Sequence, residues 1–208
     1  MQARELNVAG AFEFTSATFP DDRGLFASPY EEKEFTAAVG HPLFPVVQSS
    51  HSVSRRGVVR GVHVTATPPG QAQYVYCVGG RALDVIVDTR VGSPTYGRTD
   101  TVLLGGDTVR AVYYPVGVGH AYIALEDDTV MFYLLSAGHD PGSDLSLSAL
   151  DPALGVPFPP GLEPVLSERD RNAITLAEAE ARGLLPRYDE CRAAGMPGRP
   201  SQGRGARA

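Results

Sequence analysis

Between Phe12 and about Ser136 the chain is a succession of short apolar runs, interrupted roughly every 8–12 residues by glycine, proline or acidic clusters. Phe12-Glu13-Phe14-Thr15 alternates at the period of a half-buried strand. Strand pieces are also expected at 44–48, 51–53, 58–64, 73–78, 82–88, 99–104, 109–114, 120–125 and 129–135. The Gly79-Gly80 pair between two of these runs predicts a hairpin. Glu126-Asp127-Asp128 predicts the turn between the last two. Helical signals are few. One covers 30–39 and stops before Gly40. Another covers 175–182, where Thr175 and Glu178 have the spacing of a capping box and Gly183 suits the position past the helix end. Many short strands with glycine and proline turns point to an all-β sandwich or barrel carrying a few short peripheral helices. From Arg192 the chain is Gly, Ala, Arg and Pro with almost nothing to bury. The pattern therefore predicts one domain over 1–190 and a disordered Gly/Arg-rich tail over 191–208.

A chain of 208 residues, 43% hydrophobic and 20% charged, is long enough for a core without metal or disulfide staples. Its 23 glycines and 17 prolines strengthen the turn-rich reading. The formal net charge of −6 argues against nucleic acid as a partner. No window approaches the ~18 apolar residues of a membrane span. Met1-Gln2-Ala3-Arg4-Glu5 does not open a secretory signal. The two cysteines, Cys77 and Cys191, form neither a zinc spacing nor a disulfide framework. A cytoplasmic location is expected. Lys33 is the single lysine among 18 basic residues, which reads as genome composition rather than function.

Two of the five histidines stand out. His63 lies in an apolar strand as Arg60-Gly61-Val62-His63. On an ideal strand Arg60 and His63 face opposite ways, and a bulge at Gly61 would realign them. His120 ends Pro115-Val116-Gly117-Val118-Gly119-His120, a tight turn of the kind found at the mouth of cupin barrels. Metal-binding cupins add an H-x-H pair and a glutamate. Here Thr65 stands two after His63, and no glutamate lies between Val64 and Arg81. Two imidazoles fall short of the three or four ligands a first-row metal takes, so no metal is expected. His63 and His120 are then either active-site groups or buried, hydrogen-bonded structural histidines.

The order of several segments is more specific. Arg60-Gly61-Val62-His63 is followed by Pro68-Pro69-Gly70-Gln71-Ala72, Asp84-Val85-Ile86-Val87-Asp88-Thr89-Arg90 and Gly92-Ser93-Pro94-Thr95-Tyr96-Gly97. Then come Tyr133, Asp151-Pro152-Ala153-Leu154-Gly155 and Leu166-Ser167-Glu168-Arg169-Asp170. Over about residues 10–190 the sequence resembles the dTDP-4-dehydrorhamnose 3,5-epimerases, and within them the branch from antibiotic deoxysugar pathways, such as epivancosamine biosynthesis. The resemblance implies a cupin jelly-roll barrel, a homodimer, a dTDP-linked 4-keto-6-deoxy sugar as substrate and no cofactor. It implies inversion beside the C4 ketone through an enolate, at C5, C3 or both, with the antibiotic branch favouring C5. By the same resemblance His63 matches the base, Asp170 the carboxylate that orients it and Tyr133 the acid on the opposite face. Arg60 and His120 match positions near the sugar, and Asp84, grouped with the substrate contacts, lies on the adjacent strand where it would hold His120 or Arg60. Arg23 and Phe26 match the segment that holds the nucleotide of the neighbouring subunit, through diphosphate and thymine. Gln48 and Asp144 match further contacts.

Several positions depart from the family pattern. Gln73 stands where a lysine usually faces the C4 oxygen, Ser28 where a glutamate is usual, Ser50 where an asparagine is usual and Asp144 where a glutamate is more common. An amide donates a hydrogen bond to an enolate without neutralising it. Two alternatives therefore stay open beside the epimerase: a dTDP-sugar ketoisomerase on the same barrel, and a nucleotide-sugar-binding homologue with little or no turnover.

Overall fold

The computed structural model describes residues 1–195. Thirteen strands form: β1 (Gln2–Glu5), β2 (Phe12–Thr15), β3 (Thr18–Asp21), β4 (Gly24–Ala27), β5 (Gln48–Ser54), β6 (Val59–Thr65), β7 (Gln73–Gly79), β8 (Arg81–Asp88), β9 (Thr99–Gly105), β10 (Arg110–Tyr114), β11 (Val118–Ala124), β12 (Thr129–Leu135) and β13 (Asp144–Ser146). The helices are α1 (Glu32–Val39), α2 (Glu168–Arg171), α3 (Leu176–Ala181) and α4 (Tyr188–Ala194). One antiparallel sheet runs β1-β2-β10-β7-β12-β5 and a second runs β13-β6-β11-β8-β9. They stack as the jelly roll that the resemblance implied, while β3 and β4 form a separate hairpin.

Both sheets are covered on both faces over their central strands, which explains why several of these read as near-continuous apolar runs, while β1 and β5 at the edges of the six-stranded sheet stay largely exposed outward. In β8, Ala82 and Ile86 face the interior with Val75, Val112 and Met131. Val85 and Val87 face the other way, under Leu154, Leu162, Leu176 and Leu185 of the C-terminal segment. The outer face of the six-stranded sheet is covered by α1 and α4 around Phe14, Tyr74 and Tyr113, while Val53 and Val78 on that sheet are exposed. Phe35 of α1 stacks on Phe14 at 5.4 Å and meets Tyr113 edge-on at 5.2 Å. Burying a side chain of that size contributes roughly 1.5–3 kcal/mol. Asp88 and Arg90 form a buried pair at 2.8 Å that ties down the turn after β8. Burial would raise the Asp88 pKa, but donation from Arg90, Ser93 and Thr95 outweighs it and holds the carboxyl below its usual range.

Three expectations need correction. Gly79-Gly80 does not close a hairpin: β7 pairs with β10 and β12, β8 with β9 and β11, so the turn carries the chain from one sheet to the other. The 126–128 turn likewise crosses between sheets, from β11 to β12. A Gly-Gly pair specifies a tight reversal and not the strand that pairs afterwards, and both flanks of β7 are already taken. Residues 44–47 are not strand, for Pro42 and Pro45 lack amide donors and Val46 and Val47 are exposed. The domain limit at 190 falls inside α4, whose Cys191 is buried on the core. The rest of the expected tail, 196–208, lies outside the described residues. Helix α1 starts two residues later than expected and ends at Gly40 in the left-handed region (φ 89°). Helix α3 carries the capping box of Thr175 and Glu178.

One irregularity positions the site. In the β6–β11 ladder His63 lies opposite His120 and Arg60 opposite Tyr122, so three steps of β6 span two of β11. This is the bulge foreseen at Gly61. Gly61 adopts φ 110°, and a Cβ there would lie 2.3 Å from the His120 carbonyl oxygen and 2.8 Å from Ala121 Cα. Gly61→Ala is therefore expected to destabilise by about 3 kcal/mol or more. For a chain of this size that lowers Tm by roughly 6–12 °C. A thermal melt checks it, and an unchanged Tm would mean that the bulge relaxes without cost.

Candidate active site

Between the two sheets one end of the interior is polar. It forms a cavity of about 220 Å³ lined by side chains that alternate inward from β6, β7, β11 and β12. The five-stranded sheet contributes Arg60, His63, Thr65, His120 and Tyr122, and the six-stranded sheet contributes Gln73, Tyr133 and Leu135. Gln71, His139, Asp144 and Arg169 complete the wall.

His63 is partly open to the cavity, and its Nε2 sits 2.8 Å from Asp170 Oδ1. Asp170 is brought there by the short helix α2. Ser167 caps that helix by accepting from the Asp170 amide at 3.0 Å, and its hydroxyl donates to Asp170 Oδ2 at 2.8 Å. Burial would raise the Asp170 pKa, but the contacts with His63, Ser167 and Arg169 outweigh it and the carboxyl stays below its usual range. Asp170 is thus ionised at neutral pH. A carboxylate fixed to one ring nitrogen sets the imidazole tautomer and supports its protonated form.

Tyr133 reaches the cavity from the facing sheet. Burial is the main cause that pushes its phenol pKa well up, the nearby Tyr122 and Asp84 add to this, and the hydrogen bond with Ser52 opposes it. The phenol therefore holds its proton at neutral pH. A base on one wall and a protonated acid on the other is an arrangement for removing a proton from one face of a carbon and returning one to the opposite face.

His120 is buried, with its ring 6.1 Å from that of Tyr133 and 4.5 Å from that of Tyr114. Its Nε2 lies 2.7 Å from Asp84 Oδ1, and the Tyr114 hydroxyl donates to the other Asp84 oxygen. Asp84 is fully buried. Burial raises its pKa, opposed by His120. Of the two partners expected for Asp84, His120 and Arg60, it holds His120 and lies behind that ring.

The remaining expected residues separate into two groups. Arg60, Gln73 and Asp144 line the cavity. Gln73 Nε2 donates to Gln71 Oε1 at 3.2 Å, and Gln71 Nε2 donates to the Ala137 carbonyl at 2.9 Å. Asp144 Oδ2 lies 3.3 Å from His139 Nδ1 and 3.8 Å from Arg169. Gln48 stands just outside, donating to Ser50 Oγ and accepting from the His139 amide, both at 2.9 Å. Arg23 and Phe26 are not at the cavity of their own chain. They sit on the β3–β4 hairpin, where Arg23 pairs with Asp21 and Phe26 is 67% exposed. Among the described residues no three His, Cys, Asp or Glu side chains gather as a metal site would require.

Six lining residues escaped the sequence reading. Thr65, Gln71, Tyr122 and Leu135 each stand two residues from one that was named: His63, Gln73, His120 and Tyr133. The period-two rule that found the strands would have found Thr65, Tyr122 and Leu135 as well, whereas Gln71 precedes β7. His139 lies in a loop and Arg169 beside a helical carboxylate, and no comparable signal marks them.

The family model described as dTDP-4-dehydrorhamnose 3,5-epimerase matches residues 5–178. A dTDP-4-dehydrorhamnose 3,5-epimerase of Streptomyces griseus is 48% identical over 188 residues, covering 90% of this chain and 93% of its own. Among solved structures, NovW is a 4-keto-6-deoxy sugar epimerase from the novobiocin gene cluster of Streptomyces spheroides. It superposes with a TM-score of 0.87 at 45% identity, covering 92% of this chain and 95% of its own. ChmJ, a 3'-monoepimerase from Streptomyces bikiniensis in complex with dTDP-quinovose, gives 0.84 at 44% identity, covering 89% and 93%. With the family model and these relatives spanning nearly the whole fold, the chain belongs to the dTDP-4-dehydrorhamnose 3,5-epimerase family.

Proposed function

We propose that this protein epimerises a dTDP-linked 4-keto-6-deoxyhexose beside its ketone, without a cofactor, in the making of a natural-product sugar. The observation that carries the reading is the pairing of Asp170-held His63 on one sheet with protonated Tyr133 on the other, across one cavity. The C4 ketone acidifies the neighbouring C–H. His63 takes that proton, an enolate forms, and Tyr133 returns a proton on the opposite face. Arg60, Gln73 and His120 line the cavity as donors for the developing C4 oxyanion. Arg169 at the wall adds a positive charge suited to a diphosphate.

The two relatives above whose names specify a carbon, a 3,5-epimerase and a 3'-monoepimerase, share C3. C3 is therefore part of the proposal, while the sequence preference for C5 alone has no counterpart in those names. The direct test is proton NMR of dTDP-4-keto-6-deoxyglucose in D₂O with the protein, which reads each carbon separately. Deuterium uptake with inversion supports the reading. Absence of uptake despite tight dTDP binding would favour the binding homologue.

A homodimer belongs to the same proposal. The β3–β4 hairpin displays Phe19, Leu25 and Phe26, each at least 49% exposed, beside Arg23. Reaching into a neighbouring subunit's site would cover these apolar groups and bring Arg23 and Phe26 to its nucleotide. A cytoplasmic location fits two free, buried cysteines.

Four outcomes follow. His63→Ala should lower deuterium uptake by roughly 10²–10⁴-fold while dTDP affinity persists, as isothermal titration would show. Tyr133→Phe should keep uptake and lose inversion, and normal inversion in that variant would remove Tyr133 from the acid role. Gln73→Lys should raise uptake from a neutral 4-keto sugar about 5- to 150-fold, by placing a charge at the oxyanion. If the natural substrate carries an amino group, the same change should instead raise KM for that sugar. Phe26→Glu should shift the protein from dimer towards monomer in sedimentation velocity and weaken dTDP binding, and an unchanged dimer would detach the hairpin from the interface.

A further inference from the structure

A line of hydrogen bonds crosses the barrel from Arg60 to Tyr133. Arg60 Nε donates to Ser54 Oγ at 3.2 Å. Ser54 Oγ lies 2.8 Å from the Tyr122 hydroxyl, which lies 2.9 Å from Ser52 Oγ. Ser52 Oγ lies 3.1 Å from the Tyr133 hydroxyl. Strand pairing sets these contacts. Arg60 is the register partner of Tyr122 across β6 and β11, while Ser52 and Ser54 of β5 lie opposite Met131 and Thr129, the β12 positions leading to Tyr133. Ser54 and Tyr122 are 4% and 1% exposed, so water does not satisfy them.

The direction of the line follows from donor inventory. A guanidinium only donates, and each hydroxyl has one proton to give. Ser54 accepts from Arg60, so its buried proton goes to Tyr122, its other partner. Tyr122 then gives its proton to Ser52, and Ser52 gives its own to Tyr133. Reversing either link to Tyr122 would leave a buried hydroxyl proton without an acceptor, a loss that folded proteins avoid, and the half-buried Ser52, accepting from Tyr122, gives its proton to its other partner, Tyr133. At the end of the line Tyr133 accepts, and its own proton is free to turn into the cavity that it lines.

We propose that Ser52, Tyr122 and Ser54 are positioning residues, a one-way hydroxyl relay set by Arg60 that aims the Tyr133 proton at the substrate. The inference rests on the epimerase reading and specifies how the acid of that site is oriented. In the protonation step the Tyr133 O–H bond breaks, a C–H bond forms on the enolate and the electron pair stays on the phenolic oxygen. Ser52 goes on donating to that oxygen, which carries full negative charge only at this stage, so the relay favours transfer over the resting state. Tyr133 regains a proton and protonated His63 loses one through exchange with water at the open cavity. Ser52 and Ser54 lie behind the cavity wall while Tyr122 forms part of it, and neither serine carries a group that titrates near neutrality. Around Tyr133 the charged and titratable groups are Arg60 and His63 on β6, His120 and Tyr122 on β11 and Asp84 on β8.

The test compares inversion with deuterium uptake for dTDP-4-keto-6-deoxyglucose in D₂O, using the full chain, Ser52→Ala, Tyr122→Phe and Ser52→Thr. Ser52→Ala should keep KM and uptake within a few-fold of the parent, because His63 still abstracts. Its inversion should fall about tenfold or more, since the phenolate loses its donor. Tyr122→Phe, nearly the same shape, should shift the ratio in the same direction, and Ser52→Thr should restore it. Inversion at parental rates in both Ser52→Ala and Tyr122→Phe would overturn the relay while leaving the epimerase reading intact. A parallel fall of uptake and inversion would also overturn it, as a merely structural role predicts. No uptake by the parent protein would overturn the epimerase reading and the relay with it.

Discussion

The close approach of the Gly61 backbone to His120 and Ala121 is the constraint on which the site depends. Without the extra residue that the bulge inserts, Arg60 and His63 would point to opposite faces of the five-stranded sheet, one into the cavity and the other into the apolar layer of Leu147 and Leu154. With it, both reach the same cavity, opposite Tyr122 and His120. Only a glycine fits, because a side chain would collide with the neighbouring backbone and φ is positive. The bulge thereby gives two side chains three residues apart a shared direction, as a regular strand would not.

From that point the interior divides by chemistry along the strands. Towards one end the inward positions are Ile86, Val112 and Met131, a dry floor. Towards the other they are Arg60, His63, His120, Gln73 and Tyr133. The floor gives the mouth its electrostatic character. Burial keeps the Tyr133 phenol protonated, whereas Asp170, against its own desolvation, is held ionised by His63, Ser167 and Arg169. The two oxygen acids are thus in opposite protonation states, Tyr133 protonated chiefly by burial and Asp170 ionised by its hydrogen-bond and charge partners. This is the division of labour that a base on one wall and an acid on the other requires.

Much of this was legible in the sequence, and the limits have physical causes. Strands at β2, β6 to β12 and the capped helix α3 follow from period-two alternation and from the Thr175/Glu178 spacing, both local signals. The bulge was legible from the one glycine between Arg60 and His63. Pairing was not legible, because Gly79-Gly80 reports a reversal and not which sheet receives the next strand. Asp84 was legible in part: the sequence reading offered His120 or Arg60 as its partner, and the fold puts it against His120, behind the cavity wall. Arg23 and Phe26 were identified through resemblance, and the single chain leaves them exposed on a hairpin. His139 and Arg169 came into view only when the loop that follows β12 and helix α2 were placed against the mouth.

The central claim is that His63 works as a base because the Asp170 carboxylate holds its ring, and Asp170→Asn tests it most directly. The amide keeps the shape and the Ser167 cap but removes the charge that fixes the tautomer and supports the imidazolium. Measured as the initial rate of deuterium uptake from D₂O at saturating dTDP-4-keto-6-deoxyglucose, the account predicts a fall of about 10²-fold or more, with dTDP affinity unchanged. Uptake at the parental rate in a folded Asp170→Asn protein would contradict it, and would mean that the His63–Asp170 pair is structural and that another group removes the proton.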